Sequence, residues 1–441
     1  MTTAYAALDS IIESLQYEYG EGLQNQFDDS EITYNEFPKS DRKPKGLGYV
    51  FGLRYARTQS TGGRLESAKL PDPFTGQKDQ GKINPAYIYG TIRLTGPAIS
   101  AAKGDTASFV DSLADEMEDI LQSVKNEANR MAHGDGFGKV GVCSASFAPS
   151  TSATYAVTFN NDLGITYLME GMLGDWFDST GATASTTCVA QRILHITPST
   201  KVVVFEASGT TYKTNHPNAT IAAYTNSTAA IAVSSIFVKM GSRLPAHVTT
   251  DTPSDITGIE GIFDDATLLA SFENITVATN PKWAANLMTN GGVNRELELD
   301  LMLNACDLSR IRGGTKVTDI ICGLGQRRKY ANLLLPHVQF APEVLRGGYT
   351  RLSFAGGDGS VTINVDPMAQ PNKMYFYTKG TIKKYELTPL GWGNLDGSQM
   401  HRRSGYDEWD LFLRLYTNLG CEQRNGLTKI TELTEPSLYT A

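Results

Sequence analysis

The chain has 441 residues, 41% of them hydrophobic and 20% charged, with a formal net charge of -8. That length exceeds one ordinary core, so two to four structural units are expected, and the acidic balance argues against a protein that coats nucleic acid through phosphate contacts. No apolar run is long enough to cross a bilayer as a helix, the N-terminus lacks the basic-then-apolar order of a secretory signal, and the five cysteines form no CxxC pair, so neither membrane insertion, nor a disulfide framework, nor a zinc site is expected.

Residues 1–47 open with the amphipathic run Leu8, Ile11, Ile12 and Leu15 and continue into a polar stretch ending PKSDRKPKGLG. Such a segment holds too little apolar surface to fold alone and reads as an arm lying across something else. YVFGLRYAR (49–57) and AYIYGTIRL (86–94) are rich in aromatic and β-branched residues, as strands are. Between them lies STGGRLESAKLPDPFTGQKDQGKINP, a polar excursion predicting an extended hairpin that is ordered by contact with a neighbour.

Between Asp105 and His133 the apolar residues Phe109, Leu113, Met117, Ile120, Leu121, Val124, Ala128 and Met131 recur at steps of three and four, which places them on one stripe of a helix. Asp111, Asp115, Glu118, Asp119, Lys125 and Arg130 take the other face, and Gly134 supplies a stop. About 29 residues give a rod of roughly 43 Å, a spine for the sheets around it. The following GDGFGKVGV matches a dinucleotide fingerprint in spacing through Gly136, Gly138 and Gly141, but that fingerprint needs a strand before it and a helix after it. Here the order is reversed, and a helix-to-strand turn explains the glycines.

From 150 to about 250 Thr, Ser and Ala dominate, charges thin out, and the short runs TYAVTF, RILHITP, KVVVFEA, AAIAVSS and IFVKMG predict a small all-β sandwich or barrel inserted in the main body. The sequons at Asn218 and Asn226 carry little weight without a secretion signal. In GIEGIFDDATLLASF the adjacent Asp264 and Asp265 predict a turn or helix cap rather than a metal site, because no third ligand lies at suitable spacing. A helix over Arg295–Arg310, the strand TDIICGL and the helix GQRRKYANLLL predict a compact α/β unit. GSVTINVD, KMYFYTKGTIKKYELTPL and DEWDLFLRLYTNLGCE return to strands, with Trp409, Leu411, Leu413 and Leu415 alternating.

The six histidines form no HExxH or HxH pair, and there is neither a GxSxG elbow nor a phosphate-binding GxxxxGK(S/T) loop. No catalytic, cofactor-binding or metal-binding residue is therefore expected, and the chain is not predicted to be an enzyme. Arg327-Arg328-Lys329 and Arg402-Arg403 read as solvated faces or subunit salt bridges.

The order of these parts resembles the major capsid protein of tailed double-stranded-DNA bacteriophages, the Hong Kong 97-like fold. The resemblance is carried by YVFGLRYAR and AYIYGTIRLTGPAI around the polar excursion, by FVDSLADEMEDILQSVKNEANRMAHGDGFGKVGV, and by GIEGIFDDATLLASF and RRSGYDEWDLFLRLYTNL. It implies an α+β chain divided into an N-terminal arm (1–47), an extended β-hairpin loop (48–98) and a peripheral domain with the spine helix (99–149). After these would come an inserted small all-β domain (150–250), a return to the peripheral domain (251–289), an axial α/β domain (290–350), and peripheral strands with a C-terminal tail (351–441).

By resemblance the chain would assemble with itself through homo-pentamers and homo-hexamers into an icosahedral shell around the phage genome. It would be located in the virion after assembly in the host bacterial cytoplasm. Its partners would be scaffold, portal and cement proteins, with packaged DNA met only non-specifically and no membrane. Expected inter-subunit contacts are Arg64, Glu66, Lys69, Asp72, Lys78, Arg327, Arg328, Arg402 and Arg403. Some members cross-link a loop lysine to a neighbour's asparagine. Lys69, Lys78 and Lys82 lie in the corresponding loop, but neither acceptor nor catalytic acid is matched, so that chemistry is not carried over. The alternative from another class is a β-rich virion or surface binding protein that uses residues 150–250 as a ligand-binding module.

Overall fold

The computed structural model describes residues 32–42, 48–58, 60–97, 112–147, 154–160, 165–179, 189–206, 231–242, 255–334, 353–356, 359–394 and 400–435. The run around Leu8–Leu15, the start of the spine helix at 105–111, both sequons, and Cys188, His216, His247 and His337 lie outside the described residues.

The chain divides into two compact units. One takes Gly90–Ser123 and Trp392–Leu413. Its core is Ile92, Leu94 and Leu411, with Met117, Ile120, Trp392 and Met400 packed against them. Strict alternation of buried and exposed positions along Ala86–Thr95 puts Ile92 and Leu94 inward. On the outward side Arg93 Nε donates to Asp410 Oδ1 at 2.7 Å.

The other unit takes the described residues of Ser30–Tyr89, Val124–Gly391 and Arg414–Ala441. The spine helix, Ser112–His133, contributes Val124, Ala128 and Met131 to its core, as the three-and-four spacing requires. Arg130, expected on the polar face, is also buried at 3% exposure. It stays charged there because Glu127 and Asp255 flank its guanidinium at 2.6 and 2.8 Å. After the helix, Gly138 has φ 68, and a Cβ on it would lie 2.1 Å from that of Ser242, so turn and packing both demand glycine.

The glycine turn leads into a six-stranded antiparallel sheet. Its strands pair in the order Lys139–Val142, Ile236–Lys239, Leu173–Phe177, Gln191–Thr197, Val202–Glu206 and Thr154–Thr158. The two ends meet: Cys143 bridges Phe159, Ser144 N donates to Thr158 O at 2.9 Å and Asn160 N to Val142 O at 2.9 Å. The sheet is thereby closed into a barrel, which removes its free edges. Trp176 fills it, 4.8 Å from Phe147, 5.0 Å from Phe237 and 5.8 Å from both Phe159 and Phe205. AAIAVSS contributes only a bridge, Ile231 to Phe147, rather than a strand among the described residues.

A second six-stranded sheet is mixed. Its order is Asn286–Met288, Thr428–Ile430, Met374–Tyr377, Asp319–Cys322, Gly359–Val365 and Ser353–Gly356. Asp319–Cys322 is buried at every position and lies between its neighbours from 359–377, parallel to one and antiparallel to the other. The helices Leu299–Gly313 and Leu324–Leu334 therefore do not close a unit with that strand alone, because a single strand leaves its ladder groups unsatisfied. Met302, Ala305 and Tyr330 of these helices join Ile320, Phe376 and Ile430 in one core.

A four-stranded sheet is built on the fourteen-residue strand Glu408–Cys421, which lies between Ile382–Trp392 and His401–Arg402 and also pairs with Ala86–Thr95. The hairpin thus differs from the sequence expectation. Tyr49–Arg54 pairs antiparallel with Lys78–Ile83, from Tyr49↔Ile83 to Arg54↔Lys78, and not with the apolar run at 86–94.

Candidate assembly surface

The hairpin is fixed at its root by aromatic side chains. Tyr49 stacks on Tyr385 at 5.0 Å, Phe51 meets Trp283 at 6.0 Å, and Trp283 stacks on Phe272 at 6.3 Å. Trp283 Nε1 donates to Phe272 O at 3.2 Å, and the Arg424 guanidinium covers the Phe272 ring at 4.7 Å. Arg424 itself is fully buried. It donates to Ile262 O at 2.7 Å and Gly261 O at 3.0 Å, satisfying carbonyls at the end of the short helix Ile259–Ile262. Burial lowers its pKa to about 10 against the pull of Asp264 and Glu273. Asp264 and Asp265 act as turn caps: Asp264 accepts the amides of Ala266, Leu268 and Leu269, and Asp265 that of Thr267.

Past the root the chain runs out into solvent. Gln77 N donates to Ala56 O at 3.2 Å, Arg64 Nε to Lys69 O at 3.1 Å, and Lys69 pairs with Asp72 at 2.7 Å. Leu65, Leu70 and Phe74 stand 86%, 78% and 57% exposed within this one excursion. Three large apolar side chains exposed within one excursion make it the candidate surface for a partner.

Five of the nine expected contact residues lie on this hairpin, where their order in the chain already puts them. Arg64, Glu66, Lys69 and Asp72 lie on the excursion, and Lys78 opens the second hairpin strand opposite Arg54. Arg327 and Arg328 are exposed on Leu324–Leu334, while Lys329 beside them pairs with Glu296. Arg402 and Arg403 belong to the other unit, where Arg403 pairs with Glu408 at 3.0 Å and covers the Tyr406 ring at 4.3 Å. Sequence reasoning missed Leu65, Leu70 and Phe74, because three isolated apolar residues in a polar stretch show no period.

Buried charges anchor the body. Glu260 Oε1 accepts Lys373 at 2.8 Å and Lys429 at 3.2 Å, and Tyr375 OH donates to its Oε2 at 2.7 Å. Burial alone would favour the neutral acid, but the two ammonium groups hold the Glu260 pKa well below the usual range. Glu127 is likewise held at about 2 against burial, by Arg130 and Lys239. Arg130 lies one helical turn from Glu127, but Lys239, Lys373, Tyr375 and Lys429 were out of reach of local pattern, since each lies far away in sequence.

A cavity of about 280 Å³ is lined by Glu260, Asp264, Gln370, Asn372, Lys373 and Lys429 among others. Its carboxylates and lysines are already engaged with one another or with backbone amides, so no nucleophile is set against a base. Among the described residues no cluster of three His, Cys, Asp or Glu side chains could hold a metal, and Cys143, Cys306, Cys322 and Cys421 are free.

A rooted hairpin with an exposed excursion, a long helix, a mixed sheet faced by two helices and a sheet built on one long strand together define the Hong Kong 97-like capsid fold. One solved structure carries the same fold. The chain superposes on the capsid subunit of cyanophage A-1(L) with a TM-score of 0.57 at 11% identity, covering 96% of this chain and 98% of that one. It is also similar to the capsid of the native GTA particle (TM-score 0.49, 8% identity, 97% and 100% covered). The capsid of Myoviridae phage XM1 gives a TM-score of 0.48 at 7% identity, with 96% and 98% covered. No protein-family model matches the sequence, and no curated protein matches it either. The fold is that of phage major capsid proteins.

Proposed function

We propose that this chain is the major capsid protein of a tailed double-stranded-DNA bacteriophage, assembling with itself through pentamers and hexamers into an icosahedral shell. The observation that carries the reading is the fold, shared with the cyanophage A-1(L) capsid subunit over nearly the full length of both chains. The exposed excursion supports it, because Leu65, Leu70 and Phe74 need a partner surface that a single copy does not provide.

The role is structural rather than catalytic. Heterologous contacts between copies close into rings, and rings tile a shell. Many modest contacts per subunit then make the shell far more stable than any one of them. Arg64, Glu66, Lys69, Asp72, Lys78, Arg327, Arg328, Arg402 and Arg403 supply polar contacts between subunits. Exposed ion pairs such as Lys69–Asp72 are worth only about 0–1 kcal/mol, so they exchange partners on assembly at little cost. Scaffold, portal and cement proteins are the further partners. Packaged DNA meets an inner face of an acidic protein only loosely. The site of action is the virion, after assembly in the host bacterial cytoplasm. A binding protein working through residues 150–250 is not favoured, since the likeness to a capsid subunit extends over 96% of the chain.

The test is removal of residues 60–76, which spares the pairing of Tyr49–Arg54 with Lys78–Ile83. The shortened chain is expected to fold with an unchanged thermal midpoint and to give no closed particles by negative-stain microscopy. Normal particles from it would overturn the interlocking role.

A further inference from the structure

The hairpin root rests on a two-residue turn. Ser271–Phe272 and Ile275–Thr276 pair antiparallel, leaving Glu273 and Asn274 between them at φ 52 and 65. Two successive left-handed residues make a tight turn that suits Asn-Gly, so a glutamate in the first position is held there against a backbone preference. Its contacts run both ways. The Glu273 carbonyl accepts Lys82 N of the hairpin at 2.7 Å, and its Oε1 accepts Cys421 N of the long strand at 2.8 Å. Oε2 is enclosed and has no hydrogen-bond partner among the described residues.

The charged and titratable groups facing this carboxyl come from three other elements. Cys421 and Glu422 lie on or just beyond the long strand, Tyr385 on Ile382–Trp392, and Arg424 in the turn that follows. Arg424 is committed to the carbonyls of Gly261 and Ile262, and Glu422 Oε1 accepts the Tyr385 hydroxyl at 3.3 Å. Burial raises the Glu273 pKa well above the usual carboxylate range; the Cys421 amide and Arg424 oppose that, and Glu422 adds to it.

We propose that Glu273 is a proton-controlled latch at the hinge of the extended hairpin. As the neutral acid it clasps Cys421 with its side chain and Lys82 with its carbonyl. After losing its proton to solvent, the carboxylate still accepts the Cys421 amide, but its enclosed Oε2 is charged without a partner, and the water it draws in opens the packing of the root. The latch belongs to the single chain; only its consequence, a hairpin that can re-aim toward a neighbouring subunit, rests on the capsid reading.

Hydrogen exchange of the full chain tests it, read at the peptides containing Lys82 and Cys421 and corrected for the intrinsic effect of pH. Protection at both is expected to fall about tenfold together as pH rises from the ordinary carboxylate value, 4.5, toward the raised folded one, while in Glu273→Gln it stays flat. Glu422→Gln, which removes the neighbouring negative charge, is expected to move the transition to lower pH. Flat protection in the wild type, or a fall in Glu273→Gln equal to that of the wild type, would overturn the latch. If Glu273→Gln does not fold, the wild-type profile and the Glu422→Gln shift decide. Particle formation is scored on the same samples, so failure of the capsid reading is seen separately.

Discussion

Thr33 donates twice to a single oxygen of Asp366, through its hydroxyl at 2.6 Å and its amide at 3.0 Å. Asn129 Nδ2 reaches the same oxygen at 3.2 Å and His133 Nε2 at 3.0 Å. An ionised carboxylate only accepts, so Nε2 carries the proton in that contact. One buried side chain thus ties the segment at Ile32–Glu36 to the end of the spine helix, although 333 positions separate Thr33 from Asp366.

Asp366→Asn is expected to lower stability at neutral pH by about 3–5 kcal/mol, the range for breaking a buried charged network. Burial favours the neutral acid, but the hydrogen bond and charge of His133 and the donors of Thr33 more than offset it, so the folded pKa lies below the ordinary value. The contribution is therefore complete above about pH 4 and is lost as pH falls through the lowered folded value. Urea midpoints of wild type and variant should differ at pH 7 and converge in acid.

Glu260 holds two ammonium groups, and Lys429 is only 2% exposed. Glu260→Ala is expected to cost about 3–5 kcal/mol, because it strands a buried cation. Lys429→Met should cost less than half as much, since Glu260 keeps Lys373 and Tyr375. Denaturation of the two variants side by side gives the ranking.

Gly258 sits where a Cβ would lie 2.3 Å from Ala132 O and 2.4 Å from Met131 O, backbone atoms at the end of the spine helix. Gly258→Ala should therefore destabilise by about 1–3 kcal/mol through overpacking. Gly52→Ala, with nothing within 4 Å, should leave stability unchanged or raise it by about 0.5–1 kcal/mol. Thermal midpoints of the pair check the contrast.

Replacing Leu65, Leu70 and Phe74 together by serine should leave the fold intact, since exposed substitutions stay within about 0.5 kcal/mol each. Particle yield should drop sharply, and light scattering of the purified variant measures it.

Periodicity made much of this fold legible. Val124, Ala128 and Met131 could be placed inward from spacing alone, and the alternating Leu411, Leu413 and Leu415 gave the long strand. Other elements owe their form to partners. Lys78–Ile83, reading KDQGKI, has no strand composition and is a strand because Tyr49–Arg54 offers a complete ladder beside it. Leu173–Phe177 is broken by Gly174, where a Cβ would lie 2.4 Å from the Phe237 ring, so the residue that hides the strand is the one its packing requires. The contact between His133 and Asp366 spans 233 positions and leaves no local trace.

Negative-stain microscopy of the purified full-length chain, with its size distribution in solution, tests the capsid reading most directly. Closed shells, or uniform rings of five and six copies, are the predicted result. A persistent monodisperse monomer, even with a scaffold protein supplied, would contradict it.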